Sequence, residues 1–216
     1  MIYVIMCGGE YGEFEKPKQL TLVNGKPNVQ RTIEMLQACR IYDIYISSND
    51  ARFDGFGVPR LEHENTFKSH DGKLEGYWLD AFYPNFPEDT EVTFLFGDVV
   101  FTFEAIQKII NCDRKGNTLY GSAAAWNRDH KNWGEPFAYV IRDYKTFMAG
   151  VSAVKKLQDE GKLKRHAIVW ELYRYLNNLD VNVQQVVSKT FITINDGTDD
   201  IDSLEEQKAM EDRVWK

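Results

Sequence analysis

Three groups of residues in this chain have the types and spacing to handle phosphate and a hard cation. Gly8, Gly9 and Gly12 follow directly on an apolar run at 2–6. Glycines at such a point let the backbone approach a phosphate closely, and exposed N–H groups there can cradle anionic oxygens. Lys16 and Lys18 come next, compact point charges within reach of the same anion. Asp98 stands just past a second apolar run at 91–96, where ligands collect in open α/β sheets. Asp200 and Asp202 precede a helical pattern near the far end of the chain. Carboxylates in this number suit Mg²⁺, which takes one or two of them and fills its shell with phosphate oxygens and water. Such groups would suit transfer at phosphorus, where positioning and charge neutralisation carry the reaction. Each group also has a plainer use. Asp98 could cap a helix, and Asp200 and Asp202 could complement a helix dipole.

The whole chain narrows the field. It has 216 residues, with 26 basic and 33 acidic side chains and a formal charge of −7. At about 150 residues per domain, this is one domain, whose two halves, about 1–112 and about 113–216, would bind nucleotide and acceptor respectively if the resemblance given below holds. The acidic balance argues against nucleic acid as a partner. Cys7, Cys39 and Cys112 are too few and too scattered for a disulfide framework or a Cys metal site, which points to a reducing, cytoplasmic setting. No apolar run approaches the roughly 20 residues of a membrane span, so no membrane partner is expected. His63, His70, His130 and His166 lie too far apart in sequence for a metal set.

The elements that must position these groups can be read from periodicity. Residues 2–6, 43–48 and 91–96 read as buried strands, the second ending in the polar tip Ser47-Ser48-Asn49. Val29, Ile33 and Leu36 mark a helix after the Asn24-Gly25 turn. Leu74, Tyr77, Trp78, Ala81 and Phe82 predict another over 74–83, and Ile106, Ile109 and Ile110 a third over 103–111. The second half reads as strands at 119–126, 136–142, 181–187 and 190–194, with helices at 144–160, 166–177 and 203–213. Asp202 or Ser203 would cap the last helix. Strand and helix alternate through the first half, so the fold class is α/β: a Rossmann-like three-layer arrangement around a mostly parallel mixed sheet.

The glycine loop does not run into a helix as a dinucleotide fingerprint would; it continues to Lys16-Pro17-Lys18, which tells against NAD. Instead the stretch from Cys7 to Leu36 resembles the N-terminal signature of the nucleotidyltransferases that make nucleotide sugars and related activated alcohols. There a glycine-rich loop is followed by Pro-Lys, a short strand, and Gly-Lys-Pro before a helix; here these are Gly8, Gly9 and Gly12, then Pro17-Lys18, then Gly25-Lys26-Pro27. Asp71-Gly72-Lys73-Leu74-Glu75-Gly76 resembles the family's segment beside the nucleobase. Phe96-Gly97-Asp98 resembles the strand end that holds magnesium. Asp200-Ile201-Asp202 resembles the C-terminal motif that completes the metal or acceptor site.

The resemblance implies a Mg²⁺-dependent nucleotidyltransferase. A nucleoside triphosphate and a sugar phosphate or phosphorylated alcohol would give an activated product, bound for surface polysaccharide, and pyrophosphate. It implies Lys18 and Asp98 as catalytic, with Asp98, Asp200 and Asp202 on the metal. Cys7, Gly8, Gly9, Gly12, Lys16, Asn49, Asp71, Gly72, Leu74, Glu75, Gly76 and Gly97 would lie on the nucleotide, a side chain at Gly76 intruding on it with the fold otherwise intact. Trp133, Gly134 and Glu135 would face the acceptor, although the aromatic stretch around Trp126, Trp133 and Tyr139 could equally serve as a lid or a homodimer contact. One departure stands out. The family's arginine after the glycine loop falls at Glu13 and Phe14 here, and Glu10, Glu13 and Glu15 make the loop acidic, which costs triphosphate binding. Either Lys16 and Lys18 compensate, or the chain is a degenerate relative that binds nucleotide without turnover. A glycosyltransferase of similar fold is the other alternative. It would want an Asp-x-Asp motif, and Asp98-Val99-Val100 lacks the second aspartate.

Overall fold

The computed structural model describes residues 1–8, 14, 16–70, 73–122 and 134–213. β1 (Ile2–Met6) is buried over nearly its whole length, as an all-apolar strand covered on both faces must be. Next comes a hairpin of β2 (Leu22–Val23) and β3 (Lys26–Pro27). It is closed by Asn24 and Gly25 at φ values of 52° and 73°. Two consecutive positive-φ residues make the tight turn that Asn-Gly favours. α1 (Asn28–Ala38) starts from the hairpin and turns Val29, Ile33 and Leu36 into the core. β4 (Ile44–Ser47) then pairs in parallel with β1, and β5 (Arg60–Leu61) in parallel with β4.

The helix expected over 74–83 is not formed. The chain makes a second hairpin, β6 (Lys68–His70) with β7 (Lys73–Glu75), and then a 3-10 turn at Trp78–Ala81. Leu74, expected inward, is 48% exposed, while Leu79, outside the expected stripe, is buried. Gly76 explains the break. It sits at φ +70°, and a Cβ there would lie 2.1 Å from the Thr66 carbonyl oxygen. A larger residue would therefore disturb the fold itself, which corrects the expectation that Gly76 could be enlarged with the fold intact.

β8 (Val92–Phe96) pairs in parallel with the other side of β1 and is followed by the short β9 (Val99–Val100). α2 (Phe103–Ile110) is capped by Thr102, whose hydroxyl accepts from the Ala105 N–H at 3.0 Å; the cap is not Asp98. β10 (Thr118–Ser122), β11 (Pro136–Ile141), α3 (Tyr144–Asp159) and α4 (Val169–Leu176) follow. β12 (Phe191–Ile194), β13 (Asp199–Asp200) and α5 (Leu204–Arg213) complete the described chain. The strand expected at 181–187 is absent. Arg174 donates to the Val181 carbonyl at 2.5 Å, and the Val187 N–H donates to the Tyr173 hydroxyl at 2.8 Å. Side chains of α4 thus satisfy backbone groups that a ladder would otherwise pair.

Seven strands form one sheet in the order β12-β10-β11-β8-β1-β4-β5. All run parallel except β11, which is antiparallel to both its neighbours. The result is an α/β fold with a mixed, mostly parallel sheet flanked by helices. The chain builds outward from β1 through β4 to β5, then crosses back to β8. Strand order therefore reverses at β1, and in such sheets ligands bind outside the carboxyl ends at that reversal.

Candidate active site

The tip of β1 is held from both sides. The Cys7 N–H donates to the Ser47 carbonyl at 2.8 Å, the Ser48 hydroxyl donates to the Cys7 carbonyl at 2.9 Å, and the Gly97 N–H donates to the Met6 carbonyl at 3.0 Å. Gly97 comes so close that a Cβ would fall 2.4 Å from the Met6 oxygen. Two hollows open at this tip and share Gly8, Phe67 and Ala81 as a dividing wall.

The first hollow, about 460 Å³, lies over β1 and β4 and is lined by Ser47, Ser48, Asn49, Asp50, His63 and Asn65. Asp50 is paired with Arg52 at 2.5 Å. His63 Nε2–H donates to the Asp80 carbonyl at 2.8 Å, which leaves Nδ1 to accept from the Ser47 hydroxyl at 3.4 Å. Asn49 Oδ1 accepts from the His63 N–H at 3.3 Å. Asn65 Oδ1 accepts from the Phe67 N–H at 3.1 Å, and its amide nitrogen lies over Gly8, 2.9 Å from where a Cβ would stand.

The second hollow, about 390 Å³, gathers Lys18, Gln19, Asp98, Glu135, Asp200 and Asp202, with Trp78, Phe96 and Ile168 as apolar wall. Each carboxylate arrives by a different route. Asp98 occupies the turn between β8 and β9. Antiparallel pairing of β13 with β9 sets Asp200 opposite Val99, and the Ile201 N–H donates to the Asp98 carbonyl at 3.1 Å. Glu135 is there because β11 runs against the sheet, so its start and not its end lies at this edge. Ser203, not Asp202, caps α5: its hydroxyl accepts from the Glu206 N–H at 3.1 Å. The Glu206 carboxylate reaches back to the N–H groups of Ser203 and Asp202 at 2.9 and 2.8 Å, a reciprocal capping box. The Asp202 carboxylate is left out of the cap and accepts from Lys18 Nζ at 2.5 Å.

The charges here are unbalanced. Burial pushes the Asp98 carboxyl up, against the pull of Lys18. Burial and the charges of Asp202, Asp199 and Asp98 push Glu135 up to about 7. Asp200 rises further, through burial and then the charges of Glu135, Asp202 and Asp98. Burial alone would lower Lys18, but Asp202, Asp98 and Asp200 outweigh it and keep the ammonium charged. Among the described residues lining the hollow, the Lys18 ammonium thus faces Asp98, Glu135, Asp200 and Asp202, a donor set of hard oxygens that fits a divalent cation such as Mg²⁺. Among the described residues, no three His, Cys, Asp or Glu side chains form a ready-made cage.

Of the other expected site residues, Cys7, Gly8, Asn49 and Gly97 line these hollows, and Gly134 is buried beside Glu135. Leu74 edges the second hollow, while Glu75 and Lys16 are exposed. Lys26 is ion-paired with Glu34 at 2.5 Å. Gly9, Gly12, Asp71, Gly72 and Trp133 lie outside the described residues. Phe14, where the resemblance leads one to expect arginine, is buried with Val23, Val100 and Ile201. It pins the end of the glycine loop to the ribbon that carries the aspartates.

Sequence reasoning missed His63, Asn65, Gln19 and Asn28. Gln19 is 6% exposed and lines the second hollow. It sits directly after Pro17-Lys18, and that adjacency is the signal that could have found it. Asn28 is wholly buried at the start of α1.

Residues 3–169 match the family model of the MobA-like NTP transferase domain. No curated protein matches the chain in sequence. Among solved structures, it is similar to a putative glucose-1-phosphate thymidylyltransferase from Bacillus anthracis, crystallised in complex with a sucrose. The identity is 16%, covering 99% of this chain and 94% of that one, with a TM-score of 0.62. It is also similar to the CTP:phosphocholine cytidylyltransferase LicC from Streptococcus pneumoniae, at 18% identity, covering 98% and 97%, with a TM-score of 0.55. At these identities the likeness is one of fold.

Proposed function

The chain belongs to the MobA-like NTP transferase family and is a nucleotidyltransferase; from that premise we propose that it joins a nucleoside triphosphate to a phosphorylated small molecule with the help of Mg²⁺, releasing pyrophosphate. The observation that carries the reading is the meeting of Asp98, Asp200, Asp202 and Lys18 in one cleft where the strand order reverses. The nucleoside occupies the neutral hollow by Ser48, Asn49, His63 and Asn65, and its phosphates cross the dividing wall at Gly8. The acceptor occupies the second hollow, where the Gln19 amide and the Trp78 ring offer polar and apolar contact.

The acceptor's phosphate oxygen attacks the α-phosphorus in line, the bond to the β-phosphate oxygen breaks, and pyrophosphate carries away the electron pair. A phosphate monoester is already largely an anion at neutral pH, so the attack needs no general base. Lys18 brings a fixed positive charge to the α-phosphate oxygens, where charge builds in the transition state. Asp98, with Asp200 or Asp202, would hold the magnesium, which when bound neutralises the phosphates and orients them. The walls of the second hollow hold the acceptor and keep water, the competing nucleophile, from the phosphorus.

The acceptor is a sugar phosphate or a phosphorylated alcohol, and the product feeds the class of reaction that transfers such a group to a growing polysaccharide. The triphosphate substrate sets the reaction in the cytoplasm. The test is pyrophosphate release from each of the four triphosphates with Mg²⁺ against a panel of acceptors that includes glucose 1-phosphate and phosphocholine. Release that needs both a triphosphate and one acceptor supports the reading. Binding of triphosphate with no release against any acceptor would make the chain a nucleotide binder without turnover.

A further inference from the structure

We propose that Asn28 is a positioning residue for the metal-bearing carboxylates, its amide setting both the turn that carries Asp98 and the strand on which Asp200 lies. The inference rests on the reading of Asp98 as the group that holds the metal. Asn28 is the first residue of α1 and is wholly buried. Its amide nitrogen donates to the Gly97 carbonyl at 3.0 Å and to the Val99 carbonyl at 2.9 Å. These are the residues directly before and after Asp98, so one –NH₂ group grips the turn on both sides. Its Oδ1 accepts from Arg31 at 3.3 Å, which orients the amide from behind. Val99 is also the residue paired with Asp200 across the β9–β13 ribbon. A single side chain therefore ties the two carboxylates' backbones to α1.

Chemistry leaves few substitutes. Both partners are carbonyls, so the group must supply two hydrogens from one short, neutral stem. Serine and threonine have one hydroxyl hydrogen. Aspartate has no donor and would set its oxygens against two carbonyls, and glutamine carries its amide one methylene further out. On the opposite side the turn is closed by Gly97, against the Met6 carbonyl. Asp98 is thus fixed between β1 and α1, and only its side chain is left to adjust. Groups that orient metal ligands from outside typically matter about 10- to 100-fold in metal affinity or turnover.

The test compares wild type, Asn28→Ala, Asn28→Ser, Asp98→Asn and Val154→Ala. The last opens a cavity at a buried position of α3, away from both hollows. Mn²⁺ binding is read by electron paramagnetic resonance with a non-hydrolysable triphosphate analogue present, alongside thermal melting and the kcat and KM of pyrophosphate release. Asn28→Ala should weaken Mn²⁺ binding and lower kcat by roughly tenfold or more, with the triphosphate KM little changed. Asn28→Ser, able to remake one of the two bonds, should fall between, and Val154→Ala should lose melting temperature alone. If Asn28→Ala does not fold, Asn28→Ser carries the test with the same expected direction. Mn²⁺ binding and kcat unchanged in the folded Asn28 variants, or lost equally in Val154→Ala, would overturn the proposal while leaving the metal site standing. If Asp98→Asn binds Mn²⁺ as wild type does, the metal reading fails, and this inference with it.

Discussion

The hollow over β1 and β4 and the hollow over β8 and β11 share a wall but satisfy their polar groups in opposite ways. In the first, His63, Asn49, Asn65 and Ser48 are already hydrogen-bonded to the protein, and the carboxylate of Asp50 has its own arginine. In the second, burial and then neighbouring carboxylates raise the proton affinity of Asp98, Asp200 and Glu135 around the Lys18 ammonium, and the buried Gln19 lines the same hollow. The first is organised before anything binds, as suits recognition of an uncharged base. The second holds repulsion that a cation and a substrate would relieve, as suits the place where charge moves. The division also explains the backbone around them. The charged hollow is fixed from behind by Asn28 and Phe14, because carboxylates that repel one another stay together only if their backbones cannot part.

The comparison breaks most visibly at Asp98. Asp98→Asn should reduce pyrophosphate release by on the order of 10³-fold, while triphosphate binding without metal, followed by calorimetry, stays near wild type. Lys18→Ala should cost roughly 10²-fold in turnover and weaken triphosphate binding. Lys26→Ala, whose ammonium is exposed and paired with Glu34, should stay within about twofold. Equal effects of the two lysine changes would undo the assignment of Lys18 to the phosphates.

Asp200→Asn sharpens the contrast, because it should move activity and stability in opposite directions. Turnover should fall roughly 10- to 100-fold. The melting temperature without divalent metal should rise by about 2–4 °C for each kcal/mol of relieved burial and repulsion. A fall in melting temperature would mean that the carboxylates do not strain the fold. The smallest effect belongs to the neutral hollow. Asn65→Ala should raise the triphosphate KM by roughly two- to tenfold, the worth of one neutral hydrogen bond, with the acceptor KM unchanged. A matching rise in the acceptor KM would blur the two hollows into one.

Legible in the sequence were the elements whose apolar pattern meets the core: β1, β4 and β8 in the first half, and β10, β11, β12, α3 and α4 in the second. β1 is a continuous apolar run, β4 and β8 are predominantly apolar, and α1 shows its core face at helical spacing. The 74–83 segment misled because Leu74, Tyr77, Trp78, Ala81 and Phe82 fall at helical spacing by accident of a hairpin and a 3-10 turn. Only Gly76, tight against Thr66, betrays it. The 181–187 segment misled because side chains of α4 stand in for a neighbouring strand. In the site, Asp98 could be singled out because it follows a buried strand, and Asp200 and Asp202 because they match the resemblance's C-terminal motif, although each also had a plainer local use. Their meeting depends on the β9–β13 pairing between distant parts of the chain, which no local pattern announces. Asn28 was invisible for a related reason: asparagine at a helix start looks like a cap, and its actual partners lie on another strand turn.

The central claim, that the charged hollow holds a divalent ion on Asp98 beside the triphosphate, is tested most directly by anomalous diffraction. The measurement uses crystals of the full chain grown with Mn²⁺ and a non-hydrolysable triphosphate analogue. The account predicts a manganese peak at direct-bonding distance, about 2.1–2.2 Å, from an Asp98 carboxylate oxygen, with Asp200 or Asp202 within reach of the same ion and the base in the hollow of His63 and Asn65. Manganese bound to the triphosphate alone, away from Asp98, or a base seated against Trp78 and Glu135, would contradict it.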